Sequence, residues 1–346
     1  MVEIELKFQI SEARRTALLK ALDPKKSETI QLQAKYFDTP DRLLAQDGAA
    51  LRQRLEGACW IQTLKAAGKS HLHRFEHNHH LGELESSPEL DLSIYEAIPE
   101  AQQILTQALG VDAAALKLTF ETDIQRTYRV IEFEDAEIEV CLDVGVVRAS
   151  GREQTIHEVE FELKSGSVQS VLAFSFEWVK KYQLWLDVRS KAEMGNLLAL
   201  EQTVSPARFE KEFVLSKKES AAHNLSLLIG QQMQHLLPNI AAISAGVAEQ
   251  SHIDQAQTAL EHLQLTLALF KDWNSNISDK WAMQLAAFKH QFDHLQHLQH
   301  MQSTLGAFLQ NPTTTENLAK DILYAQEKLG NLVKSTQNVH HYLELL

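Results

Sequence analysis

Apolar and polar positions alternate in short runs through the first half of the chain and recur at spacings of three and four through the second. The runs VEIELKF (2–8), ALRQRLEG (50–57), CWIQTLKA (59–66), HRFEHNHHL (73–81), DIQRTYRVIEF (123–133), AEIEVCLDVGVV (136–147) and HEVEFELKSG (157–166) predict β-strands, bounded by turn signals such as Thr39-Pro40-Asp41, Glu56-Gly57 and Gly151. Helices are predicted after Ser11, over 99–109 and over Val168–Tyr182. Further on, helical periodicity covers about 218–236, 252–272, 279–309 and 315–345, interrupted at Pro238-Asn239, Asn274-Ser275-Asn276 and Asn311-Pro312. The change of texture sets a boundary: 1–204 as an α+β domain, 205–346 as an antiparallel bundle of four or five helices.

Side-chain parity makes the strands of the first domain unusual. Glu3, Glu5 and Lys7 share one face of the opening strand, opposite Val2, Ile4, Leu6 and Phe8. Arg52 with Arg54, Arg74 with Glu76 and Asn78, Glu137 with Glu139, Cys141 and Asp143, and Glu158 with Glu160 and Glu162 repeat the arrangement. In an open sandwich these stripes face bulk water. In a closed barrel they face a water-filled lumen instead. Two carboxylates ~5 Å apart repel by roughly 3 kcal/mol at an effective dielectric near 20, so a lumen holding this many needs cations. Hard divalent ions suit the oxygen donors, and the Lys and Arg residues call equally for an anion. A polyphosphate chelating Mg²⁺ or Mn²⁺ satisfies both.

Composition narrows the function classes. The chain has 346 residues, 23% of them charged, and a net charge of −13, which argues against a general nucleic-acid binder. Every arginine but Arg208 lies before residue 205. Cys59 and Cys141 stand apart, with neither a disulfide framework nor zinc-ligand spacing. A basic-then-apolar leader is absent from the opening residues, and no apolar run approaches the ~18–20 residues of a membrane span. The expectation is a cytoplasmic protein without a membrane or nucleic-acid partner. HLHRFEHNHH looks metal-like, but parity turns His71, His73, His77 and His79 away from Arg74 and Glu76. His290, His294 and His297 fall opposite the stripe of Phe288, Phe292, Leu295 and Leu298 and are expected on a wet helix face.

The opening Glu3-x-Glu5-x-Lys7 resembles the ExExK signature of the CYTH superfamily, the triphosphate tunnel metalloenzymes. The likeness continues in order through YFDTPD (36–41), LRQR (51–54), TLK (63–65), HRFEHN (73–78), Arg126, IEVCLDVG (138–145), Arg148, HEVEFEL (157–163) and RSKAEMG (189–195). It is most similar to the bacterial inorganic triphosphatases that carry a helical CHAD domain. The resemblance implies an eight-stranded antiparallel β tunnel with flanking helices, followed by the all-α domain, and metal-dependent hydrolysis of tripolyphosphate to pyrophosphate and phosphate. It implies Glu3, Glu5, Glu160 and Glu162 as metal ligands, supported by Glu158 and Asp143, with Mg²⁺ or Mn²⁺ as cofactor. Lys7, Arg52, Arg54, Lys65, Arg74, Arg126, Arg148 and Lys191 would bind the substrate, with Lys7, Glu5, Arg54 and Lys65 closest to the chemistry; Glu76 would hold a basic neighbour. Two positions depart from the pattern: Asn78 replaces a carboxylate, and Met194 replaces a basic residue that would contact a terminal phosphate.

Other readings stay open. A thiamine triphosphatase, or another organic triphosphate hydrolase or cyclase, uses the same fold, and a non-catalytic polyphosphate binder is the third. Residues 252–270 resemble a CHAD helix, but Gln257, Glu261, His262 and Gln264 stand where its basic residues would be. That leaves the helical domain a structural or docking role, with a homodimer or a protein partner open.

Overall fold

The computed structural model describes residues 2–110, 116–212, 215–271, 275–308 and 311–346. The chain divides into two compact units, Met1–Ser205 and Pro206–Leu346. In the first unit eight strands are laid down in the order β1 (Val2–Gln9), β2 (Glu28–Asp38), β3 (Ala49–Glu56), β4 (Cys59–Ser70), β5 (His73–Glu83), β6 (Lys117–Phe133), β7 (Ala136–Ala149) and β8 (Arg152–Ser165). They hydrogen-bond in the sequence β5-β4-β3-β2-β6-β7-β8-β1, and β1 pairs back onto β5, so the sheet closes into an antiparallel barrel. The two-residue β9 (Trp185–Leu186) lies against the end of β1. Closure removes the sheet edges and gives every strand an inside and an outside.

The expected helices form as α1 (Glu12–Ala21), α3 (Pro99–Leu109) and α4 (Val168–Tyr182), with the short α2 (Leu43–Gln46) and α5 (Lys191–Ala199) added to them. In α4 the Ser167 hydroxyl caps the Ser170 amide, and Phe174 and Trp178 lie against Phe161 of β8 with ring centroids 5.2 and 5.6 Å away. Asp38 explains the YFDTPD run. Its buried carboxylate accepts the amides of Thr39, Leu44 and Ala45 and so folds the α2 turn, over which Leu44, Leu51, Leu64, Phe75 and Tyr95 form a core outside the barrel.

β2 is the strand that the alternating runs do not include. Its inward residues Leu32, Ala34 and Tyr36 are apolar, and its outward ones, Gln31, Gln33 and Lys35, are polar. Together with Phe120, Ile124, Val147, Ala149 and Ile156 they make an apolar floor at one end of the interior, completed by Met194 of α5. Tyr36 and Phe120 stack there with centroids 4.4 Å apart. Met194, read as a lost phosphate contact, is a packing residue of this floor.

The second unit holds α6 (Ala221–Ser244), α7 (Gln250–Leu269), α8 (Ser275–Leu305), α9 (Pro312–Val333) and α10 (Thr336–Leu345). The break expected at Pro238-Asn239 does not occur, and α6 runs through it. There Asn239 is fully buried and clasps the backbone of Arg208, accepting from its amide and donating to its carbonyl, so tertiary packing holds the helix through the proline. The periodic stretch 315–345 divides at Ser335, which caps α10 through the Asn338 amide. Of the break expected at Asn274-Ser275-Asn276, Asn274 lies outside the described residues, and Ser275 and Asn276 open α8. His290, His294 and His297 are exposed, opposite buried Phe288, Phe292 and Leu295. Among the described residues no helix is long and apolar enough to cross a membrane.

α5 seats on the floor by close approach. A Cβ on Gly195 would lie 2.1 Å from the Phe120 ring, so only glycine lets the helix in. Gly195→Ala is expected to cost ~1–3 kcal/mol through overpacking. Thermal unfolding should show a lowered midpoint, and an unchanged one would contradict this seating.

Candidate active site

Above the apolar floor the barrel interior is ionic, and strand register decides which charges meet. Across β1, β8 and β7 the inward residues form rows: Glu5 beside Glu162 beside Glu139, then Lys7 beside Glu160 beside Cys141, then Gln9 beside Glu158 beside Asp143. On β6, Arg126 stands opposite Asp143. The other wall comes from β3, β4 and β5, where Arg52 faces Thr63 and Thr63 faces Asn78, while Lys65 faces Glu76. Arg74 faces Glu3 where β5 meets β1 and closes the barrel.

The carboxylate wall has a dense centre. Asp143, Glu158 and Glu160 each bring an oxygen within 4.8 Å of the others. Lys191, the first residue of α5, reaches all three, at 2.7 Å from Asp143 and 2.8 Å from Glu160. Ser190 fixes that first turn by accepting the Glu193 amide at 3.0 Å. A lysine at a helix N-terminus opposes the helix dipole, so the acids beside it are what hold Lys191 there. Arg126 grips both Asp143 oxygens at 2.6 and 2.7 Å and also donates to Glu160.

Titration follows from this packing. Burial opposes ionisation of Asp143 and Glu160, but Arg126 and Lys191 outweigh it and hold both carboxyls below the usual range. Glu158, fully buried, is pushed up by that burial, which Lys191 and Lys7 only partly offset. Lys191 sits well above an ordinary lysine, because the three carboxylates overcome its desolvation. Burial raises the Cys141 thiol, so it is not poised as a nucleophile.

On the basic wall, Glu76 is the hub: it lies 3.9 Å from Arg52 and pairs with Lys65, which also reaches Glu3 at 3.0 Å. Burial works against its charge, yet Lys65, a hydrogen bond with Glu3, and Arg52 keep its carboxyl well below the usual range. Arg74 pairs with Glu5, and Arg54 with Glu56. Burial, then the neighbouring Arg52, brings Arg54 down to about 10. Several donors remain unused: Lys7 Nζ, Arg52 Nε and Arg54 Nε are buried without a hydrogen bond, and Lys7 has only a 3.5 Å ion pair with Glu158. Each such donor costs ~1–3 kcal/mol, a cost that a bound anion removes.

The barrel thus brings together Glu3, Glu5, Lys7, Arg52, Arg54, Lys65, Arg74, Arg126, Asp143, Glu158, Glu160, Glu162 and Lys191. It does not bring Arg148. The β6–β7 ladder runs without a bulge from Asp143 to Arg148, and five residues is an odd step, so Arg148 points outward to Asp123 and Glu153 with its side chain half exposed. Glu56, Tyr36 and the sharing of Glu76 between two cations rather than one basic neighbour were not legible in the sequence, since each depends on which strand lies alongside. His77, which parity turns away from Arg74 and Glu76, packs edge-on against Tyr95 at 5.8 Å.

The residues fit a hard divalent cation. The donors are all carboxylate oxygens, three of them converge, and the buried Glu158 oxygens are held by ion pairs to Lys191 and Lys7 rather than by hydrogen bonds.

The sequence profile of the family described as the CYTH domain matches residues 1–195. The inorganic triphosphatase of Haemophilus influenzae is 33% identical over 227 residues, or 64% of this chain. The match spans 62% of the length of that curated relative. Among solved structures, an adenylyl cyclase candidate from Hippeastrum, described as revealing a dominant triphosphatase activity, superposes with a TM-score of 0.40 at 18% identity, covering 58% of this chain and 97% of that one. A conserved hypothetical protein from Pyrococcus furiosus gives a TM-score of 0.35 at 18% identity, covering 55% and 98%.

Burial raises Glu3 from 4.5 to about 8, with Lys65 opposing and Glu76 and Glu5 adding to the rise. Below 4.5 the carboxyl is protonated folded and unfolded; between 4.5 and about 8 only the unfolded chain releases the proton. Stability of the metal-free protein should therefore fall as pH rises through that window and level off above it. Glu3→Gln is expected to flatten this slope by ~1 kcal/mol or more in unfolding titrations at a series of pH values. An unchanged slope would place the Glu3 carboxyl in water.

Proposed function

The chain belongs to the CYTH domain family, and from that premise we propose that its barrel hydrolyses inorganic triphosphate to pyrophosphate and phosphate with a divalent metal. The observation that carries the reading is the set of buried donors on Lys7, Arg52 and Arg54 that hydrogen-bond to nothing, facing a wall of carboxylates inside one closed barrel. Bare anion binding needs the first wall but not the second. A chelated polyanion needs both.

In this reading Arg52, Arg54, Lys65, Arg74, Arg126 and Lys191 grip phosphate oxygens, and the planar guanidinium forks fix the orientation of the chain of phosphates. Lys7 lies between the two walls and stabilises the charge that spreads over the transferring phosphoryl group. Mg²⁺ or Mn²⁺ held by Glu3, Glu5, Glu160 and Glu162, beside Asp143 and Glu158, supplies charge neutralisation and activation of the attacking water. The carboxylates also orient that water and exclude others. Burial keeps the charged groups strong by lowering the local dielectric.

Tyr36 stands across from Arg52 on β3 but is buried in the floor and stacked on Phe120, which favours an inorganic substrate over a nucleoside or thiamine triphosphate. The free thiols of Cys59 and Cys141 are in keeping with a cytoplasmic protein. The helical unit reads as a CHAD-like domain stripped of its basic surface, suited to docking or to pairing with a second copy.

Phosphate release from tripolyphosphate with Mg²⁺ or Mn²⁺ tests the proposal. Glu5→Gln and Lys7→Ala are expected to lower kcat by ~100-fold or more with circular dichroism unchanged, whereas Arg148→Ala should stay within ~2-fold. Preferential turnover of thiamine or nucleoside triphosphates would move the substrate class, and tight metal-independent binding without turnover would favour a polyphosphate-binding protein.

A further inference from the structure

The side chain at position 78 is neutral where the resemblance leads one to expect a carboxylate, and its contacts give that difference a purpose. Thr63 on β4 lies directly opposite Asn78 on β5, one inward row away from the Lys65–Glu76 pair. The fully buried Thr63 hydroxyl donates to Asn78 Oδ1 at 2.7 Å. Asn78 Nδ2 donates to Glu76 Oε1 at 2.8 Å. The amide has one workable orientation, because an ionised carboxylate only accepts, so the NH₂ must face Glu76 and the carbonyl must face the hydroxyl.

Glu76 is divided between its neighbours. Oε1 takes the Asn78 amide and lies 3.9 Å from Arg52, while Oε2 pairs with Lys65. Two cations of the basic wall, Arg52 and Lys65, thus meet at one carboxylate, which Asn78 orients through Oε1 while Lys65 reaches Glu3 as well. Direct cross-strand pairing makes the chain stiff: Arg52, Thr63 and Asn78 are neighbours along one row of three strands. A carboxylate at 78 would have to point one oxygen at Glu76 with no proton between them, and it would set a second negative charge where a polyanion has to approach.

We propose that Asn78 is a positioning residue: held by Thr63, it aligns Glu76 so that Arg52 and Lys65 meet the phosphate chain, and it does so without adding negative charge to the basic wall. The inference rests on the triphosphatase reading for the identity of the anion and on this chain's own hydrogen bonds for the alignment.

Steady-state kinetics with tripolyphosphate, beside calorimetric binding of tripolyphosphate to the same variants, separates the two. Asn78→Asp is expected to raise KM and Kd ~10-fold with kcat within ~3-fold, because the loss falls on ground-state grip of the anion. Thr63→Val should raise KM ~3-fold and Thr63→Ser should restore it, since serine keeps the hydroxyl; the ¹⁵N resonances of the Asn78 side-chain amide should move in Thr63→Val and not in Thr63→Ser. An Asn78→Asp variant with unchanged KM and Kd, or a Thr63→Ser variant as impaired as Thr63→Val, overturns the inference. Wild-type protein that binds tripolyphosphate without cleaving it overturns the triphosphatase reading while the Kd series still decides the role of Asn78. Wild-type protein that does not bind it overturns both.

Discussion

Ionised side chains enclosed by a barrel wall have to neutralise one another, and the rest of the first unit is arranged around that requirement. Closing an antiparallel sheet gives each strand a single inward parity, so a strand delivers its charges as a stripe. β7 and β8 bring carboxylates, β4 and β6 bring cations, and β1, β3 and β5 bring both. The pairing that results is not one acid to one base. Lys191 serves three carboxylates, and Glu76 serves Arg52 and Lys65. Shared partners of this kind keep a common geometry that isolated pairs would not, because moving any one charge unbalances several.

Such a network contributes little stability of its own, since desolvation takes back much of the Coulombic gain. The apolar parts carry it. Outside the barrel, Leu44, Leu51, Leu64, Phe75 and Tyr95 pack beneath α2 and α3, and Phe161 meets Phe174 and Trp178 of α4. Inside, the floor of Tyr36, Phe120 and Met194 gives α5 its seat, and α5 carries Lys191. Hydrophobic packing therefore places the cation that the acid cluster needs. The cost of concentrating charge is offset by apolar packing on either side of the ionic rows.

Much of this was legible in the sequence, and the exceptions share a cause. Alternation exposed seven strands and the parity of their charges, and the ordered motifs pointed to the tunnel. β2 escaped although its residues alternate, because it turns its apolar side inward and so carries no ionic stripe to mark it. Arg148 was misplaced because a motif records order along the chain, whereas facing depends on an unbroken count of residues along a ladder. Met194 was read as a missing charge because nothing local reveals that it lies in the floor. Pro238 signals a break in any isolated helix, and only the Asn239 clasp on Arg208 shows why α6 continues. In each case the deciding neighbour is distant in sequence.

The floor also sets the traffic of the barrel. α5 and its apolar contacts fill one end of the interior, and in the triphosphatase reading substrate and products pass by the other. A reaction that cuts one anion into two inside such a chamber has a built-in order of departure: the fragment nearer the mouth clears first, and the deeper one waits behind it. Depth in the barrel then becomes a clock. Turnover would be paced by how firmly Arg126 and Lys191, nearest the floor, retain the last fragment after the bond is broken.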